Sequence, residues 1–162
     1  MGKRSIKENK NVYQLSRENR ELTREAASEL MTYISADRIE KIESEKVIPH
    51  PDEVLTMEQC YKNPELSNYY CTHECPIGMK YVPEAKLKTF AEVTVELISS
   101  VNSIEPEQKR LIDISVDGRV NDFERRDFDE ILKKLNRLDR AIQEMRIWIE
   151  HASQTGKLDD AE

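Results

Sequence analysis

The sequence predicts an all-α fold, and three observations carry that expectation. First, the chain of 162 residues is 35% charged with only 4 glycines and 6 prolines. Glu, Lys, Arg, Leu and Ile dominate, which is helix-forming composition. Second, the glycines, Gly2, Gly78, Gly118 and Gly156, stand far apart. No glycine-rich phosphate loop can be written, and a β-barrel or sandwich would lack its turn residues. Third, apolar residues beyond residue 85 recur at steps of three and four, the helical period. The length suits one medium domain or two small ones.

Charge and chain ends narrow the function. The formal net charge of −7 excludes a strongly basic nucleic-acid binder as a description of the whole chain. The charge is uneven, because Lys3, Arg4, Lys7, Lys10, Arg17 and Arg20 face only Glu8 and Glu18 in the first twenty positions. An anionic partner would meet that end first. No apolar run approaches the ~20 residues of a membrane helix. The opening Met1-Gly2-Lys3-Arg4 has no apolar region behind it. A cytoplasmic protein without membrane contact is expected, its 3 cysteines being thiols or ligands and not a disulfide framework.

Three stretches follow one another: residues 1–66, 67–84 and 85–162. In the first, Thr23 caps a helix that has Glu25 in its opening turn. Ala26, Ala27, Leu30 and Met31 give that helix small and apolar faces. After the turn Thr32-Tyr33-Ile34, Ser35 caps a further helix with Asp37 in its first turn and Ile39 and Ile42 on its buried face. That helix ends at Glu43, before Ser44-Glu45-Lys46. Pro49 then leads into a helix whose inward residues are Val54, Leu55 and Met57.

The string Arg17-x4-Leu22-Thr23-Arg24-Glu25, then Ile34-Ser35-x3-Ile39-x2-Ile42-Glu43-x2-Lys46-x2-Pro49-x4-Val54-x2-Met57, resembles the helix-turn-helix of the Cro/phage-repressor (XRE) family. It covers about a third of the chain. The resemblance implies a small five-helix lambda-repressor-like domain and a sequence-specific transcriptional regulator that binds double-stranded DNA. Its recognition helix, about residues 35–44, would enter the major groove. It further implies a structural ion pair between Arg17 and Glu43. Groove-facing positions would be Ser35, Ala36, Asp37, Arg38, Lys41 and Ser44. Arg24 would meet a phosphate at a helix start, and Arg38 would reach guanine bidentately. Lys10 and Arg20 would add backbone contacts. The family's turn glycine is replaced here by Thr32-Tyr33, and the glycine after the recognition helix by Glu45. Arg38 and Lys41 are offset by Asp37 and Glu40, so phosphate attraction on this face is weak. The alternative is a protein-interaction module on the same fold.

Residues 67–84 read as a turn-rich connector rich in Tyr, Cys and Pro. Cys60, Cys71, His73 and Cys75 are the residue types that hold zinc or an iron–sulfur cluster, and would then make a redox sensor. Alternatively Cys60 is a small core residue and Cys71 and Cys75 merely lie one helical turn apart.

Residues 85–162 read as a long helical hairpin or coiled coil, for dimerisation or effector contact. Leu87, Phe90, Leu97, Val101, Ile104 and Leu111 mark its first arm, with a restart at Pro106 capped by Ser103. After a break at Val116–Arg119, the residues Phe128, Ile131, Leu135, Leu138, Ile142, Met145, Ile149 and Ala152 form an a/d seam. A homo-oligomer through these helices is expected. At the break, Asp113, Ser115, Asp117, Asn121 and Glu124, with Gly118 at the sixth position, match a calcium loop in form. The same residues suit a simpler arrangement, in which Gly118 ends one helix and Asn121 or Asp122 caps the next. There is no nucleophile elbow and no HExxH, so no catalytic residue is assigned and no enzyme is expected.

Overall fold

The computed structural model describes residues 10–158, and these are all-helical, with nine α-helices, one 3-10 turn and no strand. The chain divides into two compact units. One runs to Val82 and takes the chain back from Glu150; the other is Pro83–Ile149. Among the described residues, no helix is long and apolar enough to cross a membrane.

The first unit holds α1 (Val12–Asn19), α2 (Arg24–Met31), α3 (Ala36–Glu43), α4 (Pro51–Tyr61), α5 (Leu66–His73) and α6 (Pro76–Tyr81). Local chemistry starts the helices. The side chains of Asn11, Thr23 and Ser35 accept from the amides of Gln14, Ala26 and Arg38, at 3.0, 3.1 and 3.2 Å. Each satisfies a donor that has no partner inside its helix. Pro51 opens α4 in the one turn where its missing N–H costs nothing, and the Glu53 carboxylate accepts from the His50 amide at 2.7 Å. Tyr13, Ala27, Met31, Ile34, Ile39, Ile42, Val54, Met57, Tyr61 and Leu66 form one buried core. Leu30 and Leu55, expected on inward faces, are 64% and 55% exposed. Ala27 with Met31, and Val54 with Met57, take the inward stripes, and a residue one step along a helix points about 100° away.

The helix ends are unusual. Glu21, Thr32, Glu45 and Lys62 all have positive φ, between 51° and 60°, although none is glycine. Thr32, with Tyr33, and Glu45 stand where the resemblance leads one to expect glycine. The left-handed backbone is kept there without the residue that adopts it freely.

The 67–84 segment is not a turn-rich connector, because α5 and α6 occupy most of it. The Cys75 thiol accepts from the Gly78 amide at 3.4 Å, doing the work of a capping serine. Gly78 lies against α5 so closely that a Cβ there would run into the Cys71 carbonyl.

The second unit holds α7 (Phe90–Ile104), a 3-10 turn (Glu105–Glu107), α8 (Gln108–Ser115) and most of α9 (Arg125–Gln154). Thr89 and Glu92 start α7 with a reciprocal capping box. The arms run antiparallel. Phe90 stacks on Trp148 with centroids 4.2 Å apart, Lys88 reaches Glu144 at 2.8 Å, and Arg110 pairs with Asp127 at the other end. Pro106 falls in the 3-10 turn. Ser103 does not cap the restart; its hydroxyl donates back to the Ser100 carbonyl at 2.7 Å. The α9 seam is split. Ile131 is 1% exposed, but Leu135, Ile142 and Ile149 are 36, 37 and 46% exposed. Ala141 and the Glu144 side chain are buried instead. Two helices provide one inward face, so half of a broad apolar stripe stays outside.

Candidate nucleic-acid interface

On α3, Ile39 and Ile42 point into the core while Asp37 and Lys41 are exposed and Ala36, Arg38, Glu40 and Ser44 are partly so. Ser35, the exposed cap, begins this face.

The back of the helix is held by charge. Arg17 donates through Nε and Nη2 to the two Glu43 oxygens at 2.6 and 2.9 Å, and through Nη1 to the Leu22 carbonyl at 2.6 Å. Glu43 is 1% exposed. Burial lowers the Arg17 pKa, but the hydrogen bonds to Glu43 outweigh it and hold the guanidinium above its ordinary value. The ion pair thus fastens α1 to the end of α3 in a setting where an unmatched charge would be costly.

Arg24 joins the same carboxylate, its Nε donating to Glu43 Oε2 at 2.8 Å. The side chain expected to meet a phosphate is therefore engaged inside the fold, though 35% exposed. Arg38 is engaged too. Its Nε and Nη2 donate to Glu53 on α4 at 2.8 and 2.7 Å. These bonds, against the effect of burial, keep the Glu53 carboxyl below its usual range. Lys41 pairs with Asp37 at 2.7 Å and Lys46 with Glu40 at 3.2 Å. Every charge along the outward side of α3 has a partner within the chain, so the face presents ion pairs and no excess of either sign.

The turn before α3 is tight. Thr32 sits at φ 58°, ψ −42°, and the Tyr33 amide donates to the Met31 carbonyl at 2.7 Å, closing a three-residue turn. The Tyr33 hydroxyl reaches the Asp52 carbonyl at 3.0 Å and also meets Thr56, which ties the turn to α4. Tyr33 and Glu53 went unassigned in the sequence. The one available signal was Glu53, three residues after His50 at the spacing of a capping box.

The other two candidate sites are not assembled. Among the described residues, no group of three or more His, Cys, Asp or Glu side chains is placed to hold a metal ion. Of Cys60, Cys71, His73 and Cys75, the last is spent as the cap of α6. The His73 ring stacks on Tyr69, with centroids 4.4 Å apart, and its Nδ1 meets the Thr72 hydroxyl at 2.9 Å. Burial pushes the Cys60 and Cys71 thiols above their ordinary pKa. In the calcium-like loop, the oxygens serve the chain. Asp117 accepts from the Arg119 amide at 2.9 Å, and the Ser115 hydroxyl donates to the Ile112 carbonyl at 2.8 Å. Asn121 accepts from the Glu124 amide at 3.1 Å, while Glu124 accepts in return from the Asn121 amide at 3.0 Å. Asp113 stands on α8, outside this set. The pattern is that of a helix end and a helix start around Gly118 at φ 70°.

No protein-family profile matches the chain, no curated protein matches it, and no solved structure matches it.

Proposed function

We propose that α1–α5 form a helix-turn-helix domain of the Cro/phage-repressor type, a sequence-specific binder of double-stranded DNA with α3 as its recognition helix. The observation that carries this reading is the construction of α3. It is capped by Ser35, joined to α2 by a three-residue turn, bolted at its far end by the buried Arg17–Glu43 pair, and exposed along Ser35, Asp37 and Lys41. A short helix so braced on one side and open on the other suits insertion into a major groove. The left-handed Thr32 and Glu45 agree with the same reading, because they keep the backbone of a motif whose glycines are absent. The α7–α9 hairpin would supply self-association, which pairs half-sites.

The paired face sets the mechanism. Arg38 reaches a base only by leaving Glu53, and Lys41 meets a phosphate only by leaving Asp37. Non-specific affinity is then low, and specificity depends on sites that repay both exchanges. Genomic fragments selected at low salt should converge on one sequence family, with log K falling linearly with log salt. Lys41→Ala should weaken all sites alike and reduce that slope by about 1. Selection that enriches nothing would overturn the reading.

One observation favours a second reading, a protein-interaction module. The outward face of α3 carries balanced ion pairs in place of a basic surface. Capture of a basic protein partner that competes for Asp37 and Glu40, without DNA selection, would decide for it.

A further inference from the structure

The α9 helix carries a second stripe that the hairpin does not cover. Phe128, Leu132, Leu135, Asp139, Ile142, Arg146 and Ile149 follow one another at alternating steps of four and three, the spacing of a coiled-coil seam. Phe128 is partly exposed, and Leu132, Leu135, Ile142 and Ile149 are 39, 36, 37 and 46% exposed. The adjoining flank of α9, with Ile131 and Ala141 buried and Leu138 partly so, is the one turned to the other arm of the hairpin. Two positions of the outer seam are charged, Asp139 and Arg146. Both are exposed, and neither has an ion-pair partner among the described residues.

We infer that this seam is the self-association surface of the protein and that it pairs antiparallel with the same seam of a second copy. The inference rests on the reading of the hairpin as a self-association element and names its face and orientation; it needs nothing from the DNA reading. The occupant follows from the charges. In a parallel pair, Asp139 would lie beside Asp139 and Arg146 beside Arg146, like charges in an apolar seam, which is costly. Asp139 and Arg146 stand one heptad apart, about 10 Å along the helix. A two-fold axis near Ile142 brings each Asp139 across from Arg146 of the second copy, twice over. It also sets Leu135 across from Ile149 and the two Ile142 side chains beside each other. The seam is therefore complementary to itself in one direction only, the property an isologous dimer requires. Thinness of the hairpin core argues the same way. Val93, Ile114, Ile131 and Ile147 are the largest of its buried apolar side chains, too few for two helices to stand well alone.

Sedimentation equilibrium of the full chain, without DNA, tests this. The wild type should be a dimer at micromolar concentration, and Ile142→Glu should be monomeric with unchanged far-UV circular dichroism. Asp139→Arg and Arg146→Asp should each weaken self-association roughly tenfold or more, since each places like charges across both symmetric contacts. The double variant D139R/R146D should restore it. A monomeric wild type, or an Ile142→Glu protein still dimeric, overturns the surface. Single reversals that change nothing, or a double variant that fails to recover, overturn the antiparallel arrangement. Loss of the dimer with DNA selection intact, or the reverse, separates this inference from the DNA reading.

Discussion

The two units of this chain solve the same problem differently. The first buries ten apolar side chains in one cluster and encloses an ion pair, Arg17–Glu43, within it. The second buries a handful and leaves Phe90, Val95, Ile98, Leu132, Ile142 and Ile149 at 37% exposure or more. The short helices α1–α5 and the turn before α3 gather their side chains into one core; two long antiparallel arms share only a strip. The first unit thus encloses its apolar cluster, and the second leaves an apolar strip uncovered. Each unit has its own reporter. Trp148, the single tryptophan, sits on Phe90 in the second unit, and amide exchange along α3 reports on the first.

The largest test of that contrast is Glu43→Ala. It leaves Arg17 buried without its counter-charge and frees Arg24. The first unit should lose about 3–5 kcal/mol, the cost of breaking a buried pair from one side. Urea unfolding followed by amide exchange at Ile39 and Ile42 measures it. Trp148 fluorescence should show the second unit unchanged. A loss below about 1 kcal/mol, the range of surface pairs, would mean that the pair is not the brace described.

Apolar truncation gives the next effect. Met57→Ala removes a side chain at 0% exposure and should cost about 2–5 kcal/mol at any protein concentration. Leu135→Ala, at 36% exposure, should cost under about 1 kcal/mol in dilute protein, and more as concentration rises. Equal costs, both independent of concentration, would erase the difference between the units.

Much of the first unit was legible because its signals are local. Thr23 and Ser35 cap helices through an amide three residues on, and Ile39 and Ile42 follow from the helical period. The Arg17–Glu43 pair was legible only through the family resemblance, since nothing local joins residues 26 positions apart. The capture of Arg38 by Glu53 was hidden for the same reason, as it depends on where α4 lies. The α5–α6 region was misread because Cys75 and Pro76 start a helix there in place of the usual serine. In α9 the period revealed a broad stripe but not its inward half, which the neighbouring arm decides.

Backbone strain comes third, and it stabilises when relieved. Thr32 holds a left-handed φ of 58° in the turn that places α3. Thr32→Gly should stabilise the first unit by up to about 1 kcal/mol, the left-handed penalty less the extra freedom of unfolded glycine. Thermal or urea unfolding measures it, and a destabilised variant would show that the Thr32 hydroxyl, which donates to the Met31 carbonyl at 2.8 Å, outweighs the strain.

The smallest effect tests the enclosure of the first unit through pH. Glu58 is 9% exposed and accepts from the Ser67 amide at 3.0 Å. Burial pushes its carboxyl above the usual range; the Ser67 bond opposes this, and the Glu150 charge adds to it. A carboxyl raised in the folded state favours folding while it is protonated. That contribution is complete below the ordinary carboxylate range and is lost as pH rises through the raised value. Glu58→Gln keeps an acceptor for the Ser67 amide and removes the titration. The variant should therefore be more stable than wild type at pH 7, and the advantage should vanish near pH 4. Urea midpoints at the two pH values measure it, with Trp148 as the control that should not move. An advantage that persists in acid would show that packing, and not the buried charge, sets the cost at Glu58.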